Sequence, residues 1–301
     1  SRAPGPPVRS AAMENLIDGK AVAARVRAEV AERVRRLEET TGVRCGLATI
    51  LVGEDPASAI YVGNKHRACE EAGMASFDVK LPADATQAQV EEAIDRCAAD
   101  PAIHGFIVQL PLPKGLDGDA ALMRIPAAKD ADGLTPASQG LLMTLRPGPR
   151  PATPWGVMRL LAEYGVDLNG ANAVVVGRSE IVGKPQALLL LEQNATVTIC
   201  HSRTRDLKGV CRAADVLVAA VGRPEMIDGD YVHEGAVVVD VGINRTEKGV
   251  VGDVHFASVQ PKARLITPVP GGVGPMTIAM LLRNTARASR FQTGMLAFPG
   301  R

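Results

Sequence analysis

Val174-Val175-Val176-Gly177-Arg178-Ser179-Glu180-Ile181-Val182-Gly183-Lys184-Pro185 leads directly into an apolar run at 187–191. The valines read as a buried strand and the run after Pro185 as a helix. A glycine at such a junction lets backbone N–H groups approach a phosphate, which the helix start holds with its partial positive charge. The spacing is not G-x-G-x-x-G, and a tight strand-to-helix turn without a ligand fits the same residues. Further apolar runs at 197–200, 216–219 and 237–241 follow at regular intervals. Together they predict a second, nucleotide-binding-like parallel sheet.

The N-terminal half alternates in the same way. Val22, Val26, Val30, Val34 and Leu37 have helical spacing, and 47–52 is a short apolar run that reads as a buried strand. Asp55-Pro56 suits a helix start running on to Gly73, with Asp as cap and Pro in the first turn. Strands are expected at 77–81 and 105–110, with a helix carrying Val90, Ile94 and Cys97 between them. Pro147, Pro149, Pro151 and Pro154 then crowd a segment that can continue neither a helix nor a central strand. Thr153-Pro154 caps the next helix in this reading. After the glycine-rich stretch 271–274, a final helix from Met276 carries Ile278, Met280, Leu281 and Leu282, apolar around much of its circumference. The expectation is a two-domain α/β protein: residues 13–150 plus 276–301 form an N-terminal α/β domain to which the C-terminal helix returns. Residues 151–275 form a Rossmann-like domain with mostly parallel sheet.

Composition narrows the partners. Thirty-four basic against 33 acidic residues leave a charge of +1, which gives no case for a nucleic-acid or membrane partner. No apolar run nears the roughly 18–20 residues that span a bilayer. Five cysteines without a close pair read as reduced core thiols of a cytoplasmic protein, and the histidines show no metal-ligand spacing. Residues 1–12 are proline-rich and lack a starting Met; with Met13 as the native start, they are set aside as a cloning remnant, a disordered native tail being the other reading.

The strand ends carry the chemistry. An NAD site usually places a carboxylate after the second strand of such a sheet. Here His201-Ser202-Arg203-Thr204 offers hydroxyls and a guanidinium, which suit a 2′-phosphate, and Arg178 can add a second cation. NADP is therefore favoured over NAD. Gly222 and Gly242 end later strands, as cofactor contacts or as simple turns. Tyr61 and Lys65 share a helix face. An aromatic ring can stack on a flat heterocycle while a buried lysine of lowered pKa handles protons; an exposed pair on an ordinary helix has the same spacing. Gln109 sits where a parallel strand stops, either at a ligand or as an ordinary amide. Asp130 and Asp132, in Lys129-Asp130-Ala131-Asp132-Gly133, fit a site or a solvated turn. The stretch Pro270-Gly271-Gly272-Val273-Gly274 gives close backbone access or a flexible link. Together these suggest a cleft with a nucleotide on one side and a flat polar substrate on the other.

Taken in order, Val52-Gly53-Glu54-Asp55-Pro56-Ala57-Ser58 with Tyr61 and Lys65, Val108-Gln109-Leu110-Pro111-Leu112-Pro113, and Lys129 to Gly133 resemble the methylenetetrahydrofolate dehydrogenase/methenyltetrahydrofolate cyclohydrolase family. Val176 to Gly183 and Thr267-Pro268-Val269-Pro270-Gly271-Gly272-Val273-Gly274-Pro275-Met276-Thr277 extend the resemblance, which covers Met13 to about Ser289. It implies a bifunctional enzyme that oxidises 5,10-methylenetetrahydrofolate with NADP and hydrolyses the methenyl product. The resemblance also assigns roles. Lys65 helps activate water, Gln109 tunes that lysine, Tyr61 stacks on the aminobenzoyl ring, and Asp132 binds the pterin edge. Val108, Leu110 and Pro270 to Gly274 line the folate site. Gly177, Arg178 and Ser179 bind NADP, with Arg178 and Ser202 at the 2′-phosphate, Gly222 and Gly242 alongside, and Ile243 near the nicotinamide. A cytoplasmic homodimer pairing through the NADP-binding domains is implied as well. Two positions depart from the family pattern: Ala152 stands where cysteine is common, and His255 where aspartate is usual. The alternatives are a monofunctional dehydrogenase on the same folate and a non-catalytic NADP-binding protein.

Overall fold

The computed structural model describes residues 15–54, 56–247 and 249–297, with backbone alone at 56–60. The expected remnant 1–12 and the cap Asp55 lie outside the described residues. Asp18 accepts a hydrogen bond from the Ala21 N–H at 3.0 Å and starts α1 (Gly19–Thr41). The apolar stripe from Val22 to Leu37 is buried, and Gly42, at φ 71°, takes the left-handed turn that ends the helix. β1 (Gly46–Val52) is buried along its whole length. α2 (Pro56–Glu71) ends short of Gly73; β2 (Ala75–Leu81) starts two residues before the expected strand. A capping box of Thr86 and Gln89 opens α3 (Gln87–Ala99). β3 (Gly105–Val108) stops before the expected 110, although the Gln109 N–H still reaches the Ile50 carbonyl at 2.8 Å. Pro111, next but one, has no N–H with which to extend a ladder. The three strands are parallel in the order β2-β1-β3.

α4 (Gly118–Met123) and α5 (Pro136–Met143) lead to α6 (Ala152–Glu163). Thr153 does not cap α6. Pro151 holds the cap position without a side-chain bond, and the Thr153 hydroxyl instead meets the Thr277 hydroxyl at 2.8 Å. That tertiary partner is invisible to a local reading. The second sheet comprises β4 (Asn172–Val176), β5 (Thr196–Cys200), β6 (Val216–Ala219) and β7 (Val237–Asp240). α7 (Gly183–Glu192) follows β4 and α8 (Leu207–Arg212) follows β5. A hairpin of β8 (Asn244–Thr246) and β9 (Gly249–Val251), then α9 (Phe256–Val259), precedes β10 (Leu265–Ile266), a strand too short to announce itself in sequence. The order is β10-β7-β6-β4-β5, all parallel.

α10 (Gly274–Gln292) packs along α1 and α6 and reaches β3. Its Met276, Ala279, Met280, Leu281 and Leu282 join one core with Leu47 and Ile107 of the first sheet and Val175, Val218 and Val239 of the second. Asn284 donates to the Ala131 carbonyl at 2.9 Å and the Arg150 carbonyl at 2.8 Å, fastening α10 to the segment that joins the sheets. Among the described residues, no helix is long and apolar enough to cross a membrane.

Candidate active site

α2 carries Tyr61 and Lys65 toward the end of β3, where Gln109 leaves the sheet. The Lys65 side chain is only 5% exposed, yet its Nζ donates to Gln109 Oε1 at 2.7 Å. Gln109 Nε2 in turn donates to the Leu110 carbonyl at 2.9 Å, which fixes the amide with its oxygen toward the lysine. Nζ also lies 5.1 Å from the centre of the Tyr61 ring, close enough for a cation–π contact. The ring remains 37% exposed, leaving a face open. Burial pushes the Lys65 pKa below the usual lysine value by penalising the ammonium, while the negative charge of Asp132 opposes the shift. Burial raises the Asp132 pKa, against the pull of Lys65 and with the repulsion of Asp130. Burial also pushes the Tyr61 phenol up, with Asp132 adding to it.

Asp132 is held by a bracket that the sequence did not announce. Asp130, almost fully buried, accepts the N–H groups of Gly133 at 2.8 Å and Thr135 at 2.9 Å and the Ser138 hydroxyl at 2.6 Å. Gly133 sits at φ 70°, and a β-carbon there would strike the Arg150 backbone, so the turn needs glycine. The Asp132 carbonyl receives the Ala152 N–H at 3.0 Å, and Ala152 itself is buried in the core. Of the remaining expected contacts on this side, Val108 is buried among the core side chains of the first sheet and Leu110 packs against them.

The second sheet builds two cavities at the carboxyl ends of its strands, the usual ligand-binding edge of a parallel sheet. One, of 280 Å³, is lined by Gly177, Arg178 and Ser179 after β4, by His201 and Ser202 after β5, and by Ala220, Val221 and Arg223 after β6. Gly177 adopts φ 130°, and a β-carbon there would run into the Ala220 carbonyl, so only glycine lets these strand ends close up. Ser179 Oγ accepts the Val182 and Gly183 N–H groups at 3.2 and 3.3 Å, and α7 begins at Gly183 with no side-chain cap of its own. The first N–H groups of α7 are therefore taken up within the protein, that of Gly183 by Ser179 Oγ and that of Lys184 by the Ser179 carbonyl at 3.0 Å, while Pro185 has none. No carboxylate lines this cavity, so it fits a dinucleotide bearing a further phosphate. Arg203 is not in the lining; the turn is closed by the His201 N–H on Thr204 Oγ at 2.8 Å. Arg223 and Met226 do line it and were missed, although the logic that picked out strand ends reaches Arg223 one residue past Gly222. Gly222 serves the turn, its N–H bonded to Asp253 at 3.0 Å.

The second cavity, of 180 Å³, brings Gly242 and Ile243 together with the whole Pro270 to Gly274 loop. Val269–Pro270, like Leu110–Pro111, is a cis peptide. His255 joins no cavity with these residues; its Nδ1 meets Ser258 Oγ at 2.8 Å beside α9. Among the described residues, no group of His, Cys, Asp and Glu could hold a metal ion, and all five cysteines are free and buried.

Two family models match the chain: the tetrahydrofolate dehydrogenase/cyclohydrolase catalytic domain over 17–132 and the NAD(P)-binding domain of the same enzymes over 151–293. The bifunctional protein FolD 2 of Frankia alni is 60% identical over 275 residues, 91% of this chain and 96% of that protein. The bifunctional methylenetetrahydrofolate dehydrogenase/cyclohydrolase of Campylobacter jejuni superposes with a TM-score of 0.90 at 46% identity, covering 92% of this chain and 99% of that one. The Trypanosoma brucei enzyme, solved with NADP and an inhibitor, gives a TM-score of 0.87 at 41% identity, covering 92% and 97%.

Proposed function

This chain belongs to the tetrahydrofolate dehydrogenase/cyclohydrolase family, and we infer that one cleft between its two sheets serves both reactions. It oxidises 5,10-methylenetetrahydrofolate to the 5,10-methenyl compound with NADP and hydrolyses that product to 10-formyltetrahydrofolate. The observation that carries the residue-level reading is the buried Lys65 amine, held by Gln109 at 2.7 Å beside Tyr61 and Asp132.

NADP, when bound, supplies the hydride acceptor. Gly177, Arg178, Ser179 and Ser202 hold its phosphates and ribose, while Ile243 and Gly242 border its nicotinamide end. The protein's own part is to hold the folate still: Tyr61 stacks on the aminobenzoyl ring, Asp132 bonds the pterin edge, and the Pro270 to Gly274 backbone closes the other side. In the hydrolysis, neutral Lys65 takes the proton of the water that adds to the one-carbon bridge, with Gln109 fixing the direction of its lone pair. The positive charge of the methenyl group disfavours an ammonium nearby, which reinforces the effect of burial.

Lys65→Met tests this: hydrolysis of methenyltetrahydrofolate falls to background while the fold persists. A lysine whose pKa is depressed by folding contributes its stabilisation only above the ordinary lysine value and loses it as pH falls through the depressed one. At neutral pH the methionine variant therefore melts no lower than the parent. Normal hydrolysis by this variant would exclude the role assigned to Lys65. Absence of hydrolysis in the parent would favour a monofunctional dehydrogenase.

The domain division at 150/151 and 275/276 follows the linker prolines and the packing of α10 on α1. Pairing of two copies through the NADP-binding domains is supported by β5, the open edge of its sheet, beside which Ile199 and Leu191 are 42% and 53% exposed. Sedimentation at micromolar concentration should give twice the chain mass. Residence in the cytoplasm is supported by five free, buried thiols.

A further inference from the structure

Asp253 is fully buried, and three of the four hydrogen bonds given to its carboxylate come from the loop after β6. Oδ2 accepts the Val221 N–H at 2.6 Å and the Gly222 N–H at 3.0 Å; Oδ1 accepts the Arg223 N–H at 3.0 Å and the Asn244 side-chain amide at 2.9 Å. The Asp253 N–H is fixed in turn by the buried Asp240, whose carboxylate also takes the N–H groups of Gly242 and Val254, each at 2.9 Å. A carboxylate that bonds several backbone N–H groups sets their positions closely, because each lost bond strands a buried charge. The loop after β6 therefore has one well-defined course. Along it, Arg223 enters the same 280 Å³ cavity as Arg178 and Ser202. Arg223 makes no ion pair among the described residues, and no carboxylate lines that cavity.

We propose that Arg223 is a specificity-determining residue, a second guanidinium for the 2′-phosphate of NADP, and that Asp253 is the positioning residue that fastens its loop. The proposal rests on the NADP reading of this cavity. The Gly177 to Ser179 turn, at the glycine junction after β4, is the part of the lining that suits the pyrophosphate. Arg178, Ser202 and Arg223 share that lining, and a 2′-phosphate rather than a 2′-hydroxyl would suit two guanidinium groups. A guanidinium can pair with such a dianion through two parallel bonds.

The test uses the full chain and compares NADP with NAD. Arg223→Gln keeps the length of the side chain and removes the charge. It should raise the KM for NADP about tenfold, the scale of one charge-assisted bond at a solvent-exposed site. The KM for NAD, and methenyltetrahydrofolate hydrolysis without dinucleotide, should stay at the parent values. Asp253→Asn turns an amide N–H₂ toward backbone donors, loosening the loop that carries Arg223, and should raise the KM for NADP more than that for NAD. If that variant does not fold, amide hydrogen exchange in the parent replaces it: the Gly222 and Arg223 N–H groups, bonded to Asp253 although their residues lie at the surface, should exchange slowly. An unchanged KM for NADP in Arg223→Gln, equal losses for NADP and NAD in that variant, or fast exchange at 222 and 223 would each overturn the proposal. Failure of the parent itself to bind NADP would instead remove the reading on which it stands.

Discussion

Gln109→Leu isolates the contact on which the role proposed for Lys65 turns. The substitution keeps the volume near the site but removes the Oε1 that accepts from Lys65 Nζ at 2.7 Å. Lys65 is buried at 5% exposure, so water does not readily replace the lost partner. A hydrogen bond to a charged group contributes about 1.5–3 kcal/mol, so if the bond aligns the amine in the transition state, hydrolysis should slow roughly 10- to 150-fold. The pH profile adds a sign. The ammonium loses more than the neutral amine when its acceptor goes, so the Lys65 pKa, already lowered by burial, should fall further. The reactive neutral form then survives to lower pH: the acid limb of the rate profile should move toward acid even as the plateau drops. The assay follows methenyltetrahydrofolate decay without dinucleotide across the pH range, with melting temperature as the fold control. A plateau within about twofold of the parent, on an unshifted acid limb, would refute the reasoning.

Asp132→Asn should also move the acid limb toward lower pH, because Asp132 is the charge that supports the Lys65 ammonium against burial; an unmoved limb would mean the two groups are not coupled. The same variant should raise the KM for folate in both reactions, read by initial rates with each substrate. Gly177→Ala forces a β-carbon against the Ala220 carbonyl at φ 130°; dehydrogenase activity should fall at least about tenfold while dinucleotide-free hydrolysis persists, as two separate assays would show. The thiols of Cys45, Cys69 and Cys211 are pushed up to about 12 by burial, so iodoacetamide at pH 8 should leave them unmodified in the native protein and label them after denaturation. Mass spectrometry of the alkylated peptides reads the difference.

The site was legible where local chemistry marks it. Tyr61 and Lys65 share a helix face by period alone, and Gln109 stands where a strand must stop before Pro111. Arg178 and Ser202 follow apolar runs whose strand character was plain. What stayed hidden depends on partners distant in sequence. Asp130 reads as one more acid in a turn until it gathers the N–H groups of Gly133 and Thr135 and the Ser138 hydroxyl. Arg203 looked like a guanidinium for a phosphate, yet it is Arg223 that joins Arg178 in the cavity lining. Thr153 looked like a cap, and its hydroxyl went to Thr277.

The sequence by itself determined the α/β alternation, the break at the linker prolines, the two parallel sheets and the candidate residues, because hydrophobic period, proline geometry and strand-end chemistry are local properties. Only the tertiary structure decided that Lys65 is buried against Gln109 and near Asp132. It also decided that α10 and Asn284 fasten the two sheets together, and that Asp253 reaches back some thirty residues to Val221, Gly222 and Arg223. The lowered Lys65 pKa comes from desolvation, and Arg178 and Arg223 share one cavity through the convergence of two strand ends. Both arise from the packing of elements far apart in the chain, which no window along it contains.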